Sequence, residues 1–282
     1  MPLRNEDTYK IVVENEPKKV TEIRNKILDT FNELVFIDEG HKYFLGDKEL
    51  CSVSVFAQQF EEKFDTEQKA IAYAQKHGET PEYWMDQWKL TNLKATVKGT
   101  QVHAYAEGLS WLQIGHPENI PDDKKYQYIE DKGWLIPTRP QEDSALKFWN
   151  EFPSHLHVVL PETKVYTGAN PNIQYRNGYA GTFDLLVYDE QKDGLTVYDW
   201  KTNAEIRKEY ARSHSKMMYY PFNDLYMEPL GVYNIQLNAY AVCLEDIGLK
   251  VIAKRIVWLR EDGTYEVVEV GNEEDKIREI IK

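Results

Sequence analysis

Apolar positions along this chain change spacing several times, and each change marks a different kind of element. Residues 1–35 are polar apart from one amphipathic stretch, which predicts a short helix over Val20–Phe31. Lys42–Leu45 and Lys48–Val53 flank Gly46-Asp47, a pair suited to a tight turn, and read as a small hairpin. From Val55 to Trp111 the pattern is helical. Tyr83-Trp84 and Trp88 recur there at helical spacing, which marks core packing rather than base stacking. Gly99-Thr100 is expected to open a new helix with Thr100 as its N-cap. Residues 115–140 are polar and contain proline, and predict a surface loop with a short helix. Ser144–Phe152 is helical and ends at Pro153. His155–Val159 and Thr163–Tyr166 read as an extended pair or one interrupted strand.

The second half is more regular. Leu185–Tyr188 and Leu195–Tyr198 are β-rich runs around the polar, glycine-ended turn Asp189–Gly194, an antiparallel hairpin. Lys216–Gly231 is rich in aromatic residues, Met and Pro, and suits either a wedge over a ligand or a packed loop. A helix is predicted over Tyr233–Leu244, with Ile235, Ala239 and Val242 as its apolar stripe and Gln236 and Tyr240 one turn apart beside it. Strands Val251–Leu259 and Tyr265–Val270 flank the turn Glu261-Asp262-Gly263, and Glu273–Ile281 closes as a helix. The pattern is α/β, a mixed central sheet flanked by helices. An N-terminal hairpin and helical region (1–98) precedes the core (99–282).

Composition narrows the class. Hydrophobic residues make up 42% and charged residues 29% of 282 positions, ordinary for a soluble globular chain. The first residues lack the apolar core of a signal peptide, and no apolar run approaches the roughly 20 residues of a membrane span, so a cytoplasmic, membrane-free protein is expected. Cys51 and Cys243 lie far apart without a CxxC partner and read as buried thiols of a reducing compartment. A net charge of −13 argues against nucleic-acid binding by the whole surface but leaves room for a local basic groove. The best groove segment is Ile206–Lys216, where Arg207, Lys208, Arg212 and Lys216 stand against one acid with Tyr210 among them, and Tyr219 and Tyr220 follow. A solvated loop fits the same residues equally well. P-loop, GxGxxG and GxSxG motifs are absent, so helicase or recombinase activity would have to come from a partner.

The candidate chemistry lies around the central hairpin. Side chains alternate along a strand, so Asp199 and Lys201 share one face and Trp200 points away. A hairpin that brings Asp184 onto that face gathers two carboxylates and an ammonium. Two carboxylates can hold a hard divalent cation, and the lysine can act on a water or phosphate beside it. Elsewhere, His103 and Glu107 are four apart and share a helical face.

These residues carry a resemblance. Asp184 followed by Asp199-Trp200-Lys201 resembles the signature of the PD-(D/E)XK nuclease superfamily. Gly99–Glu107 is similar to the Gly-x-x-x-His-x-x-x-Glu helix of its RecB-like exonuclease branch, and Gln236–Tyr240 to that branch's Gln-x-x-x-Tyr helix. The branch includes phage nucleases and the mitochondrial genome maintenance exonuclease. The likeness covers roughly residues 99–245, with a looser echo over His41–Phe60. Asp199 stands where many relatives carry Glu.

The resemblance implies a restriction-endonuclease-like core and a deoxyribonuclease dependent on Mg²⁺ or Mn²⁺. Asp184, Asp199, the Trp200 carbonyl and His103 would be metal ligands, and Lys201 would orient the attacking water and stabilise charge. Gln236 and Tyr240 would line the site. Glu107 is a further active-site residue, and Glu162 falls where relatives often carry an acid, though an exposed strand glutamate fits as well. Some members carry an iron–sulfur cluster, which needs four thiolates, and two cysteines cannot build it. The implied activity is an exonuclease on DNA ends or single strands, and a phage-encoded enzyme fits. The alternatives are a structure-specific or restriction-type endonuclease and a catalytically silent nucleic-acid-binding scaffold.

Overall fold

A computed structural model describes residues 16–121 and 138–282. Helix α1 (Lys18–Phe31) buries Val20, Ile23, Ile27 and Phe31 along one stripe. It is fixed to the sheet by Arg24, whose Nε donates to the Val159 carbonyl at 2.8 Å. Strands β1 (Leu34–Ile37), β2 (Lys42–Leu45) and β3 (Lys48–Ser52) form an antiparallel meander. Its second turn has Gly46 at φ 58°, where an L side chain would be strained.

Three helices follow. Helix α2 (Val53–Gln58) is capped by the Ser52 hydroxyl, which accepts from Val55 N–H. Helices α3 (Thr66–His77) and α4 (Pro81–Gln113) form a hairpin. The expected helix start at Gly99-Thr100 is corrected: α4 runs unbroken through both residues, and its cap is Thr80, which accepts from Tyr83 N–H at 3.2 Å ahead of Pro81. Gly99 serves packing instead. A Cβ there would lie 3.3 Å from Thr202 Oγ1, so the missing side chain brings α4 close to the sheet.

Pro117–Asn119 forms a single 3₁₀ turn, and the rest of the polar stretch falls largely on 122–137, outside the described residues. Beyond it lie α5 (Arg139–Asn150), β4 (Leu156–Tyr166), β5 (Tyr179–Asp189), β6 (Gly194–Lys201), α6 (Glu209–Ser213), α7 (Pro229–Asp246), β7 (Val251–Leu259), β8 (Tyr265–Glu269) and α8 (Glu274–Ile281).

One mixed sheet joins all eight strands, in the order β1-β2-β3-β5-β6-β7-β8, with β4 on the far edge of β5. The N-terminal meander belongs to this sheet, and position 98 falls inside α4. One core lies under α1, α2, α7 and α8. A second lies between the last turns of α4, α5 and the other face, where Trp200 meets Phe148 edge-on at 5.1 Å.

The pairing around β5 opens a fork in the sheet. Strand β4 covers one edge of β5 from Ala180 to Asp189. The opposite edge is shared: β3 pairs in parallel at Tyr179 and Ala180, and β6 pairs antiparallel from Leu185 onward. Residues 181–184 lie in the fork between β3 and β6, where neither strand continues the ladder.

Candidate active site

The fork gathers the candidate residues. Leu185 pairs with Tyr198, so antiparallel register sets Asp184 against Asp199 at the first unpaired position. Both carboxylates are buried, Asp184 at 8% and Asp199 at 2% exposure. Asp184 Oδ2 accepts the Trp200 N–H at 2.6 Å, so a side chain replaces a backbone acceptor where the ladder opens. Burial raises the Asp184 pKa well above the ordinary carboxylate value, and the nearby Asp199 charge adds to the effect.

Lys201 follows Asp199 on the same face and forms an ion pair with it. Its ammonium also lies 4.4 Å from the centre of the Tyr233 ring. Burial alone would lower the lysine pKa. Asp199 and Asp184 outweigh that and raise it, so Lys201 is held as a cation. Trp200 points the other way into the second core, as strand alternation requires.

The remaining side chains arrive from α4, β4 and α7. From α4, His103 Nδ1 sits 3.6 Å from Asp184 Oδ2. From β4, Glu162 lies across from Asp184, between the pairs Pro161–Leu185 and Thr163–Phe183. Glu162 has φ 43°, a left-handed conformation that is costly for a non-glycine residue in a strand and accumulates at functional sites. One ligand atom each from His103, Glu162 and Asp184 lies within 4.8 Å of the others. An imidazole with two carboxylates at that separation fits a small divalent cation.

The grouping differs from the expected ligand set in two respects. Glu162 belongs to the cluster, and Asp199 stands beside it, engaged by Lys201. Within the fork, Trp200 contributes its backbone N–H, which donates to Asp184.

Helix α7 lays Gln236 and Tyr240 on the other wall. Gln236 Nε2 donates to Tyr240 Oη at 3.1 Å. The Tyr240 ring rests on Gly181, where a Cβ would come within 2.8 Å of Cε1 and 2.9 Å of Val53. That close approach explains the glycine at the head of Gly181-Thr182-Phe183-Asp184. The whole forms a cleft of about 820 Å³ that also takes in Glu107, Lys164, and His41 and Tyr43 from the β1–β3 meander. Glu107 accepts from Trp111 Nε1 at 3.2 Å and adds negative charge near Asp184.

Some cleft residues escaped the reading of the sequence. Tyr43, 2% exposed, shares a 3.0 Å hydrogen bond with Thr182. Tyr233, whose ring lies under Lys201, precedes Gln236 by three and Tyr240 by seven, so helical spacing alone could have found it. Tyr43 and Lys164 carry no such signal, because sheet pairing over long sequence distances delivers them.

The basic segment resolves into two kinds of residue. Arg207 pairs with Glu266 at 2.9 Å, Arg212 clasps the buried Glu228 at 2.6 Å, and Lys216 meets Glu62 at 3.1 Å. Among the described residues, no carboxylate stands within ion-pair distance of Lys208. Of the Lys216–Gly231 stretch, Met218 and Phe222 are buried while Tyr219 and Tyr220 are exposed. No described helix is long and apolar enough to cross a membrane. Comparison with protein-family models and with curated proteins returned no match.

Proposed function

We propose that the chain is a divalent-metal-dependent deoxyribonuclease with a restriction-endonuclease-like core, of the RecB-like exonuclease type. The observation that carries this reading is the convergence of Asp184, Asp199, Lys201, His103 and Glu162 in one fork of the sheet. Two buried carboxylates with a buried ammonium are costly to assemble, and a purely structural scaffold has no need of them.

Mg²⁺ or Mn²⁺ held by Asp184, Glu162 and His103, with Asp199 adjacent, would polarise the scissile phosphate and lower the pKa of the attacking water. The imidazole favours Mn²⁺ over Mg²⁺. Lys201, kept protonated by its two carboxylates, is suited to stabilising charge on the phosphoryl oxygens rather than to removing a proton. Gln236 and Tyr240 offer an amide and a hydroxyl to the same phosphate from α7. The DNA partner, a helicase or recombinase companion and a cytoplasmic setting belong to the same proposal.

The test is cleavage of linear and covalently closed circular DNA with Mn²⁺. Digestion of the linear form alone supports the exonuclease. Cutting of the circle assigns an endonuclease instead. Binding without cleavage of either leaves the silent scaffold.

A further inference from the structure

A second groove of about 870 Å³ runs beside the cleft, between the α2–α3 connection and α6. Helix α2 is the partition: Ser54 lines the cleft and Val55 the groove. The connection after β6 joins them from the other side, with Lys201 in the cleft and Lys208 in the groove.

The groove wall is cationic and aromatic. Lys63, Lys69, Lys208 and Lys216 line it against Glu61 and Glu62. Lys216 is engaged by Glu62. Among the described residues, Lys63, Lys69 and Lys208 have no carboxylate within ion-pair distance. Phe64 and Tyr210 line the same space at 65% and 61% exposure. Tyr210 is backed by His214, with ring centroids 4.3 Å apart, and Phe64 meets Trp88 edge-on at 5.9 Å. Each ring is held from behind and open in front. Large aromatic rings left in water beside lysines that outnumber the groove's two glutamates match a ligand with alternating flat apolar and anionic parts.

We propose that this groove is the track of a single-stranded nucleic acid entering the cleft, its phosphates on Lys63, Lys69 and Lys208 and its bases on Phe64 and Tyr210. The proposal rests on the nuclease reading for the direction of the strand. It also reassigns the binding residues, since Arg207 and Arg212 are committed to Glu266 and Glu228. A single strand suits the groove because every base offers a face for stacking while a backbone of like charge follows the lysines.

The experiment is fluorescence anisotropy of a labelled oligothymidylate in chelator, so that binding is read without cleavage. The combined Lys63→Ala, Lys69→Ala and Lys208→Ala variant should bind about tenfold or more weakly. Its plot of log affinity against log salt should flatten by about 2, roughly 0.7 for each phosphate that is no longer neutralised. Phe64→Ala with Tyr210→Ala should weaken binding about tenfold or more with the salt slope unchanged, and Tyr210→Trp should retain affinity. Wild-type affinity in both combined variants overturns the proposal. So does an equal weakening on the matching duplex, or an acidic peptide that binds with the same dependence on Phe64 and Tyr210. Mn²⁺-dependent hydrolysis of a small chromogenic phosphodiester, compared between wild type and Lys201→Ala, is read separately. Hydrolysis that requires Lys201 beside unaffected strand binding sinks the groove alone, and absence of hydrolysis in the wild type sinks the nuclease reading.

Discussion

Lys201 and Asp184 sit 17 positions apart in the chain and line the same cleft, yet they should fail differently when altered. Lys201→Ala leaves His103, Glu162 and Asp184 in place. It should retain Mn²⁺ and DNA binding while single-turnover cleavage falls by about two orders of magnitude, the scale for losing one transition-state charge donor. Cleavage at the wild-type rate would remove Lys201 from the mechanism. Asp184→Asn keeps an acceptor for Trp200 N–H but removes a buried charge. The Asp184 pKa is raised in the folded protein, so its stabilising contribution is complete below the ordinary carboxylate pKa and is lost as pH rises through the folded value. Without metal, Asp184→Asn should therefore melt above wild type at pH 8, with the gap narrowing toward pH 5. A gap independent of pH would show that Asp184 is not the strained carboxylate. Strand alternation made Asp199 and Lys201 legible as a pair, since two residues of separation suffice. Glu162 was less legible, because its position depends on a left-handed φ that no local pattern announces.

At the level of elements, the strands and helices of the second half followed their sequence patterns closely, and α4 did not. Gly99 in a helical pattern reads as a boundary, whereas the structure uses it for a close pass of α4 over Thr202. The real start, Thr80-Pro81, carries both an N-cap and a first-turn proline. The turn of the central hairpin shows the same limit. The positive φ falls on Asp193, and Gly194 is small because Ile252 packs where a Cβ would be. Glycine serves backbone freedom in one place and contact distance in another, and one sequence does not separate them. Gly181→Ala tests the contact role in the site. The new Cβ meets Tyr240 and Val53 near the start of α2, so overpacking should cost about 1–3 kcal/mol in urea unfolding. Cleavage should fall further than in Tyr240→Phe, since the whole ring is displaced rather than its hydroxyl removed. Unchanged stability and activity would mean that α7 yields freely and that the fork is not tightly set.

Across the whole molecule, burial is uneven. Helix α3 buries Ala70 alone, and α4 has buried residues only from Gln101 onward, whereas β5 and β6 are buried almost throughout. The α3–α4 hairpin should accordingly exchange its amide hydrogens at lower free energy than the central sheet. Thr80→Ala removes the cap of α4 and should cost about 1 kcal/mol, with faster exchange confined to the hairpin. Exchange that rises equally in β5 and β6 would make the hairpin part of the cooperative core.

The fork concentrates buried carboxylates inside a chain already at −13. A cation bound by Asp184, Glu162 and His103 relieves that charge only in the folded state, so it must raise stability by mass action. At free Mn²⁺ about 100-fold above its dissociation constant the gain is about 2.7 kcal/mol, which for a chain of this size shifts the melting temperature by about 5–10 °C. Ion and proton compete for Asp184, whose raised pKa holds the proton, so the shift should be larger at pH 8 than at pH 5. Asp184→Asn and Glu162→Gln should each remove most of it, and His103→Ala should reduce it with recovery at higher Mn²⁺. Differential scanning fluorimetry across pH and Mn²⁺ concentration reads all of these at once. A shift that survives Asp184→Asn and Glu162→Gln together would place the ion elsewhere, and the fork would then hold its carboxylates for a reason other than metal.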